Sequence, residues 1–163
     1  MQGHSDRPLT ENGVAQARAL AEQLADAPIS AVYSSDLARA HDTARLIAQA
    51  HGLRVETVPE LRERDFGTWE GLTDEEVLQR FPEARTGSWG DAETREELEA
   101  RVVNAMGRLA ARHPNGEVVV VTHGGPLRAL IPESMIDGDD RAIPNCHLVR
   151  LAFRDGGFVA ADS

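Results

Sequence analysis

The stretch VVVVTHGGP, Val118 to Pro126, decides how the rest of the chain is read. A strand with one wet face alternates polar and apolar residues, so an unbroken valine run marks a strand covered on both faces, in the interior of a parallel sheet. The run ends in Thr122, His123, two glycines and Pro126, and LRALI then continues as a helix whose first turn suits a proline. In an open α/β sheet, ligands collect at the carboxyl ends of the strands. A glycine pair there lets backbone approach a ligand, and the start of the next helix offers free N–H groups to an anion. His123 therefore stands where a phosphoryl oxygen would lie. Taken alone, it is equally well a hydrogen-bonded histidine closing a strand.

Working outward, apolar residues recur at helical spacing from Thr10 to Ala27, and ISAVYSS (Ile29 to Ser35) reads as a short buried strand. A second helix follows through Leu37, Ala40, Ala44 and Ile47, stopped by Gly52, and LRVETVP (Leu53 to Pro59) is a second strand. LRERDFGTWEGL, Leu61 to Leu72, fits neither period and reads as a loop. Thr73 with Glu76, and Thr94 with Glu97, form capping boxes that open two further helices. The chain closes with HLVRLAF, alternating, and a hairpin turn at RDGGF. Strands alternating with amphipathic helices predict an α/β fold, a three-layer α/β/α arrangement on a mostly parallel sheet, in one domain spanning residues 1–163.

Composition narrows the function. The chain has 163 residues and a formal net charge of −10, and all 17 of its basic residues are arginine. So acidic a surface repels a phosphate backbone, which argues against nucleic-acid and anionic-membrane partners but not against a small phosphorylated ligand held by a few arginines. The single cysteine, Cys146, rules out an internal disulfide and argues against a cysteine-based zinc site. No stretch approaches the roughly 20 apolar residues of a membrane helix, and the first residues lack the pattern of a secretory signal. A soluble cytoplasmic protein is expected.

Two further segments carry chemistry. In YSSDLARAHDTA, Arg39 falls one turn into a helix that follows a strand, where a guanidinium can grip a phosphate through two parallel hydrogen bonds. A solvated helix arginine is the plainer reading, with Ser35 and Asp36 as no more than a helix cap. In LRERDFGTWEG, Glu63 lies between two arginines and close to Phe66 and Trp69. A carboxyl shielded by rings can serve as a general acid, and a surface ion pair explains the same residues equally well.

Together PLTENGVAQA, YSSDLARAHDTA, LRERDFGTWEG, VVVVTHGG and PNC, in this order, resemble the histidine phosphatase superfamily, the branch containing cofactor-independent phosphatases and phosphoglycerate mutases. The resemblance runs from Gln2 to about Phe153. It implies phosphomonoester hydrolysis through a phosphohistidine on a small phosphorylated metabolite. Arg39 would clamp the phosphate, Glu63 would protonate the leaving oxygen, and His123 would hold a phosphate oxygen as charge builds. Gly124 would supply a backbone N–H, Gln2 and Gly3 would face the substrate, and no metal or other cofactor is implied. Phosphatase is favoured over mutase because the segment after Trp69 is compact and acidic.

The family's nucleophile is the histidine of an Arg-His-Gly triplet on a first, central strand, and the 163 residues begin just after that motif. GHS, Gly3 to Ser5, is not a substitute, since no strand and no arginine precede His4. The expectation is a chain shortened at its amino end, with unpaired interior sheet edges beside the VVVVT strand. The native protein would then carry the missing strand, or the chain would be a pseudophosphatase that binds phosphate or protein without turnover. A homodimer through an exposed sheet edge stays open. The segment IPESMIDGDDRAIPNC, Ile131 to Cys146, is also shorter than the resemblance implies.

Overall fold

A computed structural model describes residues 2–86, 90–131, 143–154 and 156–161. Most of the segment from Ile131 to Cys146 lies outside the described residues, so its expected shortness has no structural counterpart here.

Helix α1 (Glu11–Gln23) starts at Thr10, whose hydroxyl accepts the Gly13 N–H and so satisfies one of the donors a helix start leaves free. Strand β1 (Ile29–Ser34), helix α2 (Ala38–Ala50) and strand β2 (Val55–Thr57) follow, with Gly52 in the left-handed region at φ +64° just past the α2 terminus. The stretch read as a loop, Leu61 to Leu72, holds a short 3-10 turn at Gly67–Trp69, and another, Pro59–Leu61, leads into it. Both capping boxes form as expected, at Thr73 for α3 (Asp74–Arg80) and at Thr94 for α4 (Arg95–Arg112). Strand β3 (Glu117–Val121), helix α5 (Gly124–Leu130), and strands β4 (Leu151–Arg154) and β5 (Gly157–Ala160) complete the order.

The fold is α/β. Its parallel sheet has the order β2-β1-β3, and β4 and β5 make a separate antiparallel pair. The alternation of side chains along the sheet sorts the core into two layers. Val32, Val119 and Val121 point to α1 and α2, meeting Ala21, Leu24, Ala44 and Ile47. Tyr33, Val118 and Val120 point the other way, to Ala105, Met106 and Leu109 of α4. Beside them Leu151 and Phe158 of the β4–β5 pair pack on Leu98 and Val102 of α4 and Leu130 of α5.

In the described sheet β3 is the end strand and pairs with β1, while β4 and β5 stand apart from it. Helices cover both faces of β3, which is what an unbroken apolar run along a strand reports.

Candidate functional site

Because β1, β2 and β3 run parallel, their carboxyl ends open on the same side, and that crest is stitched together. Ser35 N–H donates to the Val121 carbonyl, Val58 N–H to the Ser34 carbonyl, and the Thr122 hydroxyl to the Leu61 carbonyl at 2.7 Å. The stitching gathers the end of β1, the end of β3 and the loop carrying Glu63.

His123 is the residue that precedes α5, in extended backbone. Its Nε2 lies 2.8 Å from the Ser35 hydroxyl, which already accepts the Leu37 N–H and so can offer its own proton to the ring. Burial, then the nearby positive charges of Arg39, His4 and Arg101, lower the His123 pKa from 6.5 to about 3, with Asp36 opposing. A neutral ring that accepts at Nε2 keeps its proton on Nδ1, ready to donate to an oxygen.

Arg39 is half-buried in the first turn of α2, and burial lowers its pKa against the pull of Glu63, Asp6 and Glu70. Its NH1 donates to the Ser5 carbonyl and its NH2 to the Gly3 carbonyl, both at 2.8 Å. The guanidinium therefore ties down the loop of residues 2–5. In that loop Gly3 is buried at φ +47°, a conformation L side chains rarely adopt, and a Cβ there would meet Glu70 at 2.2 Å. Gln2 is exposed, its carbonyl closing the turn by accepting from Ser5.

The Glu63 carboxylate accepts the Gly125 N–H at 3.0 and 3.3 Å and its neighbour's Arg64 N–H at 2.8 Å. The flanking arginines turn elsewhere: Arg62 forms a two-pronged pair with Asp36, holding that carboxyl below its usual range, and Arg64 Nε–H donates to the Glu93 carbonyl. The rings expected to shield Glu63 are also used otherwise, Trp69 lying buried against Phe81 and Phe66 beneath the Arg64 guanidinium. Its setting is made by two backbone donors, the Gly125 N–H at the start of α5 and the Arg64 N–H of its own loop. Gly125, the second residue of α5, supplies the N–H that meets the carboxylate, and Gly124 is the first residue of that helix.

His4, set aside in the sequence, stands in the same cluster. Its N–H donates to Glu70, and its Nε2 is 2.9 Å from the Glu63 carbonyl. His4, Asp65 and Glu70 could each turn one ligating atom to a cation, the three atoms lying within 4.8 Å of one another. A cavity of about 400 Å³ opens between His4, Arg62, Asp65, Glu93 and Arg101. In its wall Arg62 pairs with Asp36, and every donor of Arg101 is engaged by carbonyls and by Glu93.

The model of the histidine phosphatase superfamily (branch 1) matches residues 1–162. The chain belongs to that superfamily. A metal-independent phosphoserine phosphatase of Arabidopsis thaliana is 39% identical over 142 residues, covering 80% of this chain and 59% of the relative. The uncharacterized phosphatase PhoE of Bacillus subtilis is 33% identical over 97% of this chain and 79% of its own length. Among solved structures, a mycobacterial glucosyl-3-phosphoglycerate phosphatase is 35% identical with a TM-score of 0.72, over 80% of this chain and 68% of that one. Bacillus stearothermophilus YhfR is 27% identical with a TM-score of 0.87, over 99% of this chain and 86% of that one. The chain thus spans about three-fifths of the length of the Arabidopsis relative it matches, and among the described residues no helix is long and apolar enough to cross a membrane.

Of the residues the sequence singled out, Arg39, Glu63 and His123 are brought close together at the crest. Sequence reasoning missed Ser35 as the partner of His123, since a serine at a strand end reads as a cap. It also missed Arg101, which no motif marks, because its contacts lie 38 to 41 residues away.

Proposed function

We propose that the protein, as one histidine phosphatase domain, hydrolyses the phosphate monoester of a small metabolite in the cytoplasm through a phosphohistidine. Support comes from the way Arg39, Glu63 and neutral His123 meet at the carboxyl end of the sheet, and from phosphatases among the relatives. In this reading the nucleophile is the histidine of an Arg-His-Gly triplet upstream of Met1, a motif the 163 residues do not contain. Its ring nitrogen attacks phosphorus while the ester oxygen departs, and Glu63 gives that oxygen its proton. Water then attacks the phosphohistidine and surrenders a proton to the Glu63 carboxylate, which restores the acid.

His123 donates from Nδ1 to a phosphoryl oxygen whose charge grows in the transition state, and a ring held neutral performs this without a proton to lose. Arg39 fixes the same group through donors not spent on the loop of residues 2–5. Small size and phosphorylation are the substrate features that an acidic surface and a local arginine favour.

The observation carrying the proposal is the Glu63 carboxylate, held by the Gly125 and Arg64 N–H groups beside His123. Its test is the leaving group, measured on the protein as its own host produces it. Glu63→Gln should depress turnover of alkyl phosphates, which need a proton on the departing oxygen, far more than turnover of p-nitrophenyl phosphate. Equal losses on both would remove Glu63 from the acid's role. Absence of an acid-labile phosphoenzyme during turnover would refute the phosphohistidine route, and no turnover with phosphate still bound would leave a pseudophosphatase.

A further inference from the structure

Glu63 sits in a stretch with no ladder and no helix to hold it. Its backbone carbonyls, and those of the residues before it, must find partners elsewhere. The Leu61 carbonyl is met by the Thr122 hydroxyl and the Glu63 carbonyl lies against His4 Nε2, but one side chain gathers the carbonyls of Glu60, Arg62 and Glu63 together. Arg101 NH1 donates to the Glu60 carbonyl at 2.7 Å and to the Arg62 carbonyl at 2.9 Å. NH2 donates to the Glu63 carbonyl at 2.9 Å and to Glu93 Oε2 at 2.8 Å, and Nε donates to Glu93 Oε1. A guanidinium has five N–H bonds, and all five are used. No donor is left for a substrate phosphate.

The supports on both sides are firm. Arg101 projects from the second turn of α4, next to Val102, which is fully buried. Glu93 precedes the Thr94 cap, and its own N–H and carbonyl engage the Asp65 carbonyl and the Arg64 side chain. The same side of α4 carries Arg108, bonded to Glu60, and Arg112, bonded to Glu56, but both are more than half exposed. Pairs in water contribute little. The Arg101–Glu93 pair is 22% and 13% exposed, so it is the member of this stripe whose loss leaves the part-buried Glu60 and Arg62 carbonyls without their side-chain donor.

We propose that Arg101, charge-balanced by Glu93, is the positioning residue that sets where the Glu63 carboxylate stands. It rests on the reading of Glu63 as proton donor, and it adds the element that aims that donor. Arg101 fixes the loop backbone, and the loop presents the carboxylate to the Gly125 N–H on a different helix. Lysine cannot replace it, since an ammonium has three donors for five acceptor sites.

The test reads the far end of this chain of contacts. Gly125 is the second residue of α5, where a helix offers its N–H no internal partner. Its protection from hydrogen exchange therefore comes from Glu63. In the full chain followed by NMR, Glu63→Ala sets the exchange rate of an unprotected Gly125. Arg101→Gln should raise Gly125 exchange at least about tenfold, towards that limit, while Val102, Ala105 and the β1–β3 ladder keep their protection. Arg101→Lys should fall between the wild type and the glutamine variant. A Gly125 amide unmoved by Arg101→Gln overturns the proposal, as does one unmoved by Glu63→Ala. If every amide accelerates in proportion in both Arg101 variants, Arg101 supports only global stability and the proposal also fails. The leaving-group test on Glu63→Gln is separate. Its failure would remove the acid's role while the exchange data still decide what Arg101 holds.

Discussion

His123→Gln should remove an acid-sensitive component of stability that the wild type carries. In the folded protein the imidazole pKa is lowered from 6.5 to about 3, chiefly by burial and then by the charges of Arg39, His4 and Arg101. Above the unfolded value both states hold a neutral ring, and His123 contributes no pH dependence. As pH falls below it, the unfolded chain takes up a proton that the folded chain refuses, so stability declines until the folded pKa is reached. From about pH 7.5 to about pH 5 this lowers the unfolding free energy by roughly 2 kcal/mol, a large share of a typical domain's stability. Asp36, Asp91, Glu76 and Glu97 also have lowered pKa values, but their unfolded values of 3.8 to 4.5 place their losses at lower pH. Urea unfolding of wild type and variant across this range isolates the difference. Glutamine can still meet the Ser35 hydroxyl but does not titrate. The wild type should lose about 2 kcal/mol more than the variant between the two pH values. Parallel curves would mean that the folded ring protonates as freely as the unfolded one, and the neutral Nδ1 donor would have no basis.

Arg39→Ala should weaken inorganic phosphate binding at least about tenfold by calorimetry, the loss expected on removing a charged donor pair; an unchanged affinity would leave Arg39 only as the tie for the Gly3 and Ser5 carbonyls. Gly125→Ala places a Cβ 2.2 Å from Glu63 Oε1 without a positive φ to strain the backbone. It should therefore displace the carboxylate and reduce alkyl phosphate turnover more than aryl phosphate turnover, and equal rates on both would show that the carboxylate has room to shift. Thr94→Ala removes the hydroxyl of the α4 capping box and should cost about 1 kcal/mol in urea unfolding, with no change in the ratio of the two turnover rates. A change in that ratio would mean that the α4 cap reaches Glu63 through Glu93.

Sequence by itself determined what depends on near neighbours. Thr73 and Glu76, or Thr94 and Glu97, are three residues apart, so each capping box is visible without the fold and both form. The valine run announced two covered faces, and α1, α2 and α4 supply the cover. Arg39, Glu63 and His123 were legible because each lies at the boundary of an element whose period can be read, or in a segment that breaks every period. Tertiary structure alone decided the lateral place of β3, since side-chain pattern along a strand carries no record of which backbone lies beside it. It alone decided the setting of Glu63 too. The nearby arginines and rings suggested ion pairs and shielding, but the carboxylate instead meets an N–H 62 residues away. Its loop is held by a guanidinium 38 residues away. A side chain that bonds to backbone carbonyls leaves no residue-type signature in its partners, because every residue has a carbonyl to offer.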